Sequence, residues 1–340
     1  PKEKLEMLHK ECELPEEWYR MMLGNLIEVA KLLSSKYTRS KVRKAMPKEF
    51  AYIIDELLHV QKDEDDNQVR YHKVILDTIL NIHNGDEFII ALANLIKRLA
   101  VDHLHIVGDI FDRGKDVPQI FWLFYKLEKE AADAGGHVSF LLGNHEPLVT
   151  ANDLRYTKEK YKTLARKLGM DYPALFGPDT ELGKWLGTRN TMQTIGPNLY
   201  VHAGLGKELY DRDLNIPTVN EEMSRALFMS KKERKALSPL TAFLYGNSGP
   251  IWYRGLVRTD AKYHPLAQDS LQLMLKRYDV EHIIVGHTIF KDISTFYDGR
   301  VIGVNVDNEE NRKKKRGRAL LIDGNTYLVV GDKGTMRKLF

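Results

Sequence analysis

Four short apolar runs in this chain each end in a polar cluster that carries glycine. Leu104 to Val107 leads into Gly108-Asp109-Ile110-Phe111-Asp112-Arg113-Gly114, and Val138 to Leu142 into Gly143-Asn144-His145-Glu146. Leu199 to Val201 leads into His202-Ala203-Gly204, and His282 to Val285 into Gly286-His287-Thr288. Helix-length segments such as Val117 to Ala134 and Asp269 to Tyr278 separate the runs, a texture that reads as α/β. In open α/β sheets, ligands bind beyond the carboxyl ends of the strands, so residues as distant as Asp109 and His287 can share one pocket. Each glycine lets the backbone turn sharply at the strand end. Val301 to Val306, Ala319 to Ile322 and Tyr327 to Val330 are three further expected strands.

Taken singly, a Gly-Asp or Gly-His after a strand is a turn. Taken together, the four clusters offer a carboxylate, an amide oxygen and two imidazoles, a donor set suited to a divalent ion of the zinc, iron or manganese kind. Arginine and a further histidine stand beside them, which outlines hydrolytic phosphate chemistry. Other chemistries are excluded by spacing. Gly108 to Lys115 and Gly177 to Lys184 are one residue too long for a phosphate loop and lack Ser or Thr after the lysine. Gly246-Asn247-Ser248-Gly249 lacks the glycine two places after serine that a nucleophile elbow requires. A single cysteine, Cys12, rules out internal disulfides, and the arginine a cysteine phosphatase needs six residues on is Trp18.

Charge is concentrated. Of the net +4, six positive charges fall at Arg312, Lys313, Lys314, Lys315, Arg316 and Arg318, so the rest of the chain sums to −2. The run reads as a solvated loop, and no nucleic-acid partner is expected from it. No apolar stretch reaches the roughly 20 residues that span a bilayer, so no membrane association is expected. The opening Pro-Lys-Glu-Lys-Leu-Glu shows no basic segment followed by an apolar one, and a cytoplasmic setting is the expectation. Before residue 104 the texture is helical, with apolar residues at three- and four-residue spacing in Trp18 to Leu33, Phe50 to His59 and Phe88 to Leu99. The expected division is a helical region over residues 1–103 and an α/β domain over residues 104–340.

Gly-Asp-x-x-Asp-Arg-Gly, Gly-Asn-His-Glu, His-x-Gly and Gly-His together resemble the calcineurin-like metallophosphoesterase superfamily, of the phosphoprotein-phosphatase type. From Lys115 onward the chain resembles the Shewanella-like protein phosphatases, through Leu141 to Glu146, Asn152 to Tyr156, Val201 to Leu205, Gly249 to Arg254 and Val285 to Thr288. The first 113 residues resemble class III fructose-1,6-bisphosphatases of the same superfamily, through Trp18-Tyr19-Arg20, Ser34 to Ala45 and Val101 to His105. The sequence thus reads as a mosaic whose parts meet near Gly108 to Gly114.

The resemblance implies a layered α/β/β/α sandwich of mixed sheets with an N-terminal helical subdomain. It also implies two divalent metal ions (manganese, iron or zinc). Asp109 would bridge them, and Asn144, His202 and His287 would complete the second. Arg113 and Arg254 would grip phosphate oxygens, and His145 would protonate the leaving oxygen while Asp112 orients its ring. For Arg155 the resemblance implies substrate contact, with a salt bridge at a helix start as the alternative. Simpler roles stand beside these: Arg113 as a surface arginine, Arg254 in an ion pair, His145 as a cap. His103 and His105 precede the strand end and read as structural.

Both parent families hold the first metal with Asp-x-His on an earlier strand. No Asp-x-His occurs in this chain, and Ile289 stands where related enzymes have a further histidine. The first motif-bearing strand is therefore expected to be missing, the second metal site to be the better preserved, and activity to be low. The implied substrate is a phosphorylated protein or a small phosphate ester, with fructose 1,6-bisphosphate as the alternative. A non-catalytic phosphate-binding module is a third reading.

Overall fold

The computed structural model describes residues 103–306, 317–331 and 335–340, all within the unit Gly85–Phe340. The helices expected before residue 103, Cys12 and the basic residues 312–316 lie outside the described residues.

Strands β1 (His103–Ile106) and β2 (His137–Phe140) pair in parallel, with His105 opposite Ser139. Between them runs helix α1 (Val117–Asp133), which opens with Pro118, whose fixed φ suits a first turn. The short helix α2 (His145–Thr150) follows β2, then α3 (Glu159–Lys167) and α4 (Glu181–Gly187). A second sheet contains β3 (Met192–Ile195), β4 (Asn198–Val201), β5 (His282–Val285), β6 (Ser294–Phe296) and β7 (Val301–Gly303). Its order is β3-β4-β5-β7-β6, with β4, β5 and β7 mutually parallel and the two edge strands antiparallel. Between β4 and β5 lie α5 (Lys207–Asp211), α6 (Ile216–Ala226), α7 (Lys231–Leu237), α8 (Pro239–Leu244) and α9 (Gln268–Tyr278). An antiparallel meander of β8 (Arg318–Asp323), β9 (Thr326–Gly331) and β10 (Met336–Lys338) completes the described chain.

The period-two alternation of strands sorts the core into three apolar layers. Leu104 and Ile106 of β1 face Phe121 and Phe124 of α1 together with Phe176 and Trp185. Leu199 and Val201 of β4, Ile283 and Val285 of β5 and Val301 of β7 face the second helical layer. The residues between them, Tyr200, Ile284 and Ile302, pack against Leu141, Val107 and Tyr327 from the other sheets. Strands with apolar residues on both faces read as continuous hydrophobic runs, which is how these were visible in the sequence. The result is the expected α/β/β/α layering.

Among the described residues, β1 has a strand partner on one edge only, and β8 lies at the end of its meander. A cavity of about 550 Å³ is lined by every successive residue from His103 to Asp109 and from Arg318 to Ile322. A cavity over a sheet face would meet alternate residues, so this one runs along both strand edges. Its lining also includes His202 and His287. No helix among the described residues is long and apolar enough to cross a membrane.

Candidate metal centre

The four glycine-bearing clusters follow β1, β2, β4 and β5, and their side chains converge. Ligand atoms of Asp109, His202 and His287 lie within 4.8 Å of one another. His202 Nε2 stands 3.2 Å from Asp109 Oδ2, 3.1 Å from Asn144 Oδ1 and 3.2 Å from His287 Nδ1. The loops reach this geometry because glycine permits close approach. A Cβ on Gly143 would collide with the Asp109 carboxylate and amide, and one on Gly108 would collide with the His202 ring and the Gly143 backbone. Asp109, Asp112, Arg113 and His287 all have φ between 52° and 69°, a left-handed conformation that non-glycine residues adopt at a cost.

The donor chemistry fits a cation. His202 Nδ1 donates to the Val107 carbonyl at 2.6 Å, so in the neutral ring Nε2 carries a lone pair. That lone pair faces a carboxylate oxygen and an amide oxygen, both acceptors, and Nδ1 of a second imidazole, which accepts in the His287 tautomer that carries its proton on Nε2. A proton on Nε2 can satisfy one or two of these, whereas a divalent ion satisfies all of them. The charges tell the same story. Burial opposes the charge on His202, but Asp109 beside it outweighs burial and raises the imidazole above its usual range. Burial likewise pushes Asp109 up, and His202 and His145 outweigh it and hold the carboxyl well below the usual range. His287, pushed down to about 2 by burial and by its cationic neighbours His202 and Arg254, is neutral and available as a ligand.

Beside this centre, His145 Nδ1 lies 2.6 Å from Asp112 Oδ2, and the other Asp112 oxygen accepts from Thr157 Oγ1 at 2.6 Å. Burial lowers the His145 imidazole, but the Asp112 hydrogen bond and the Asp109 and Asp112 charges more than compensate and raise it. The Arg254 guanidinium is tied to the centre through Thr288 Oγ1 at 2.8 Å and the His287 carbonyl at 3.3 Å. Arg113 is exposed, its guanidinium 4.9 Å from the Tyr156 ring, which in turn lies 5.3 Å from the His145 ring. Arg155 is exposed and doubly bonded to Asp153 at 2.8 and 2.5 Å, a salt bridge in the turn between α2 and α3 rather than at a helix start.

Sequence reasoning passed over Thr157, and it quoted Tyr156 and Thr288 within motifs without giving either a role. It also gave Glu146 no position in the site, although the side chain is fully buried there. His103 and His105 both meet Ser139 Oγ, at 2.9 and 2.6 Å, away from the ligand cluster.

Comparison with known proteins places this geometry. A family model described as calcineurin-like phosphoesterase matches residues 77–289, and one described as Firmicute fructose-1,6-bisphosphatase matches residues 1–149. The class 3 fructose-1,6-bisphosphatase of Clostridium acetobutylicum is 49% identical over 148 residues, 44% of this chain and 21% of that protein. The one from Alkaliphilus metalliredigens is 53% identical over 114 residues, 34% of this chain and 17% of that protein. The chain thus spans about a fifth of the length of these curated relatives. A crystal structure of a cold-active protein-tyrosine phosphatase from a psychrophilic Shewanella species superposes with a TM-score of 0.68 at 33% identity, covering 75% of this chain and 78% of that one. With the phosphoesterase match running over more than half its residues and through all four ligand loops, the chain belongs to the calcineurin-like phosphoesterase family.

Proposed function

We propose that this chain is a metal-dependent phosphomonoesterase that hydrolyses a phosphorylated protein or small phosphate ester. The observation that carries the reading is the set of acceptors from Asp109, Asn144 and His287 gathered around His202 Nε2, with the His145–Asp112 pair alongside. These four residues would hold one divalent ion, manganese, iron or zinc, which supplies Lewis acidity toward a phosphoryl oxygen and a source of nucleophilic hydroxide. Arg254, pre-oriented by Thr288, and Arg113 would take the remaining phosphoryl oxygens with paired guanidinium donors. His145, its Nδ1 committed to Asp112, presents Nε2 as the acid that delivers a proton to the leaving oxygen as the P–O bond breaks. Asp112 fixes that tautomer and keeps the ring protonated. Arg155, with its guanidinium engaged by Asp153, would reach substrate only by releasing that partner.

The first cation has no recognisable ligand here besides Asp109, so turnover is expected to be slow. The test is metal content after manganese loading, measured with hydrolysis of p-nitrophenyl phosphate. One tightly held ion per chain and slow turnover that His202→Ala abolishes is the expected result; absence of manganese binding overturns the reading, and two tight ions with rapid turnover overturn the expectation of impairment. Fructose 1,6-bisphosphate is the second substrate reading, favoured by the bisphosphatase match over residues 1–149, which include Asp109 and Asn144. Comparing phosphate release from that sugar and from a phosphopeptide separates the two.

A further inference from the structure

We infer that Glu146 is a positioning residue whose carboxylate sets the loop that presents Asp109 to the metal. This rests on the metal-site reading above. The side chain has no exposed surface, yet no cationic group among the described residues bonds it. Four backbone amides do. One carboxylate oxygen, Oε1, accepts from Ile110 N at 2.9 Å and Phe111 N at 3.2 Å, and the other, Oε2, from Gly143 N at 2.6 Å and Asp109 N at 3.2 Å. Two amides on each oxygen use the lone pairs a carboxylate offers in its plane, so Glu146 is held back from acting as a ligand itself.

The amides belong to both halves of the site. Three lie in the loop after β1, which carries Asp109, Asp112 and Arg113 in left-handed conformations that the backbone resists by itself. The fourth is on Gly143, beside the ligand Asn144. The Asp109 side chain closes the circuit from the other direction, its Oδ1 accepting from His145 N at 3.1 Å. Each loop therefore holds the other through a carboxylate, and a buried negative charge supplies what a neutral side chain could not: four acceptor sites from one group. Burial first, then the Asp109 charge, push the Glu146 carboxyl up, and the amides it accepts from oppose that shift. Because those amides belong to the loops that carry Asp109 and Asn144, Glu146 is coupled to metal binding rather than to folding alone.

The test uses the full chain with manganese as the probe, in three variants. Glu146→Gln keeps the size but turns one acceptor oxygen into a donor that faces two amides; Glu146→Asp keeps the charge but shortens its reach. Val219→Ala, in the core of α6, is the control for general destabilisation. Calorimetric titration of folded protein is expected to show the manganese Kd raised about tenfold in Glu146→Gln, less in Glu146→Asp, and unchanged in Val219→Ala. A Kd within threefold of the parent in folded Glu146→Gln overturns the inference, as does the same result in Glu146→Asp where Gln prevents folding. Amide exchange in the unmodified, metal-free protein provides a separate reading. Ile110, Phe111 and Gly143 amides should be protected, and exchange at open-chain rates would overturn the inference. If the parent fails to bind manganese, the metal-site reading fails while the exchange measurement still decides this one.

Discussion

Proton placement at two histidines gives the residue scale its predictions. His145 donates to Asp112 through Nδ1, and the neighbouring carboxylates outweigh burial and raise its imidazole, the direction that favours the protonated ring a general acid needs. General acids of this kind contribute about 10²–10⁴ in rate. His145→Asn is therefore expected to lower kcat by roughly that factor on phenyl phosphate while leaving KM near its parent value. The loss should be smaller on p-nitrophenyl phosphate, whose leaving group departs without a proton, and equal losses on both would remove His145 from the acid role. His105 behaves oppositely. Burial first, then His103, pushes it down to about 3, and its Nε2 is buried without a hydrogen-bond partner among the described residues. Between pH 6.5 and 3 the unfolded chain binds a proton there that the folded chain refuses, so this group costs stability as pH falls. From pH 7 to 5 the cost is about 2 kcal/mol. Urea unfolding of His105→Leu at the two pH values should show a dependence flatter by that amount, and an unchanged dependence would remove His105 as its source. The four residues gathered at the candidate centre stood out in the sequence because each closes an apolar run. Glu146 did not, since a carboxylate that serves backbone amides leaves no spacing of its own.

The element that carries both His145 and Glu146 is α2, only six residues long and too short to be stable by itself. Its position comes from Arg234 on α7, which is buried and donates to the Pro147 carbonyl at 3.0 Å and Thr150 Oγ1 at 3.3 Å. The same guanidinium donates to the carbonyls of Ala226 and Leu227 at 3.0 and 2.5 Å, capping the end of α6, and lies 4.3 Å from the centre of the Tyr245 ring. Arg234→Met removes a charged donor from the carbonyls of Pro147, Ala226 and Leu227, which keep Ala151 N, Met229 N and Thr150 Oγ1 as donors, and urea unfolding should show a loss of about 2 kcal/mol. Arg234→Lys, which cannot fork to four acceptors, should recover only part of it; a full recovery would reduce Arg234 to a single contact. Elements with apolar residues on both faces were legible, as in β5, where the observed His282–Val285 coincides with the expected run. Edge strands were not. Met192–Ile195, Ser294–Phe296 and Met336–Lys338 are short and partly polar, and they exist because a neighbour offers its ladder. The run Val301 to Val306 splits for the same kind of reason: β7 ends at Gly303, and Val306 forms a separate bridge with Phe290.

Across the whole molecule the site joins parts that the sequence relates to different proteins. Asp109 and Asn144 lie within the span matched by the bisphosphatase model, whereas His202 and His287 lie beyond it. The first pair follows β1 and β2 and the second pair follows β4 and β5, so a bound ion ties two separate sheets together. The end of β4 already reaches the end of β1 through His202 Nδ1 on the Val107 carbonyl at 2.6 Å. Beside them runs the cavity along the edges of β1 and β8 that have no strand partner among the described residues. A ligand that binds only the assembled arrangement stabilises it by mass action, by about 2.7 kcal/mol at a concentration one hundred times its Kd. Manganese at that concentration should therefore raise the urea midpoint, and a chelator should reverse the rise. Asp109→Asn removes the one carboxylate among the four donors, so its midpoint should no longer respond to manganese, while Asp292→Asn, far along the chain in an exposed contact with Arg337, should respond as the parent does. A manganese response that survives in Asp109→Asn would mean that the ion stabilises the protein from somewhere other than the point where the two sheets meet.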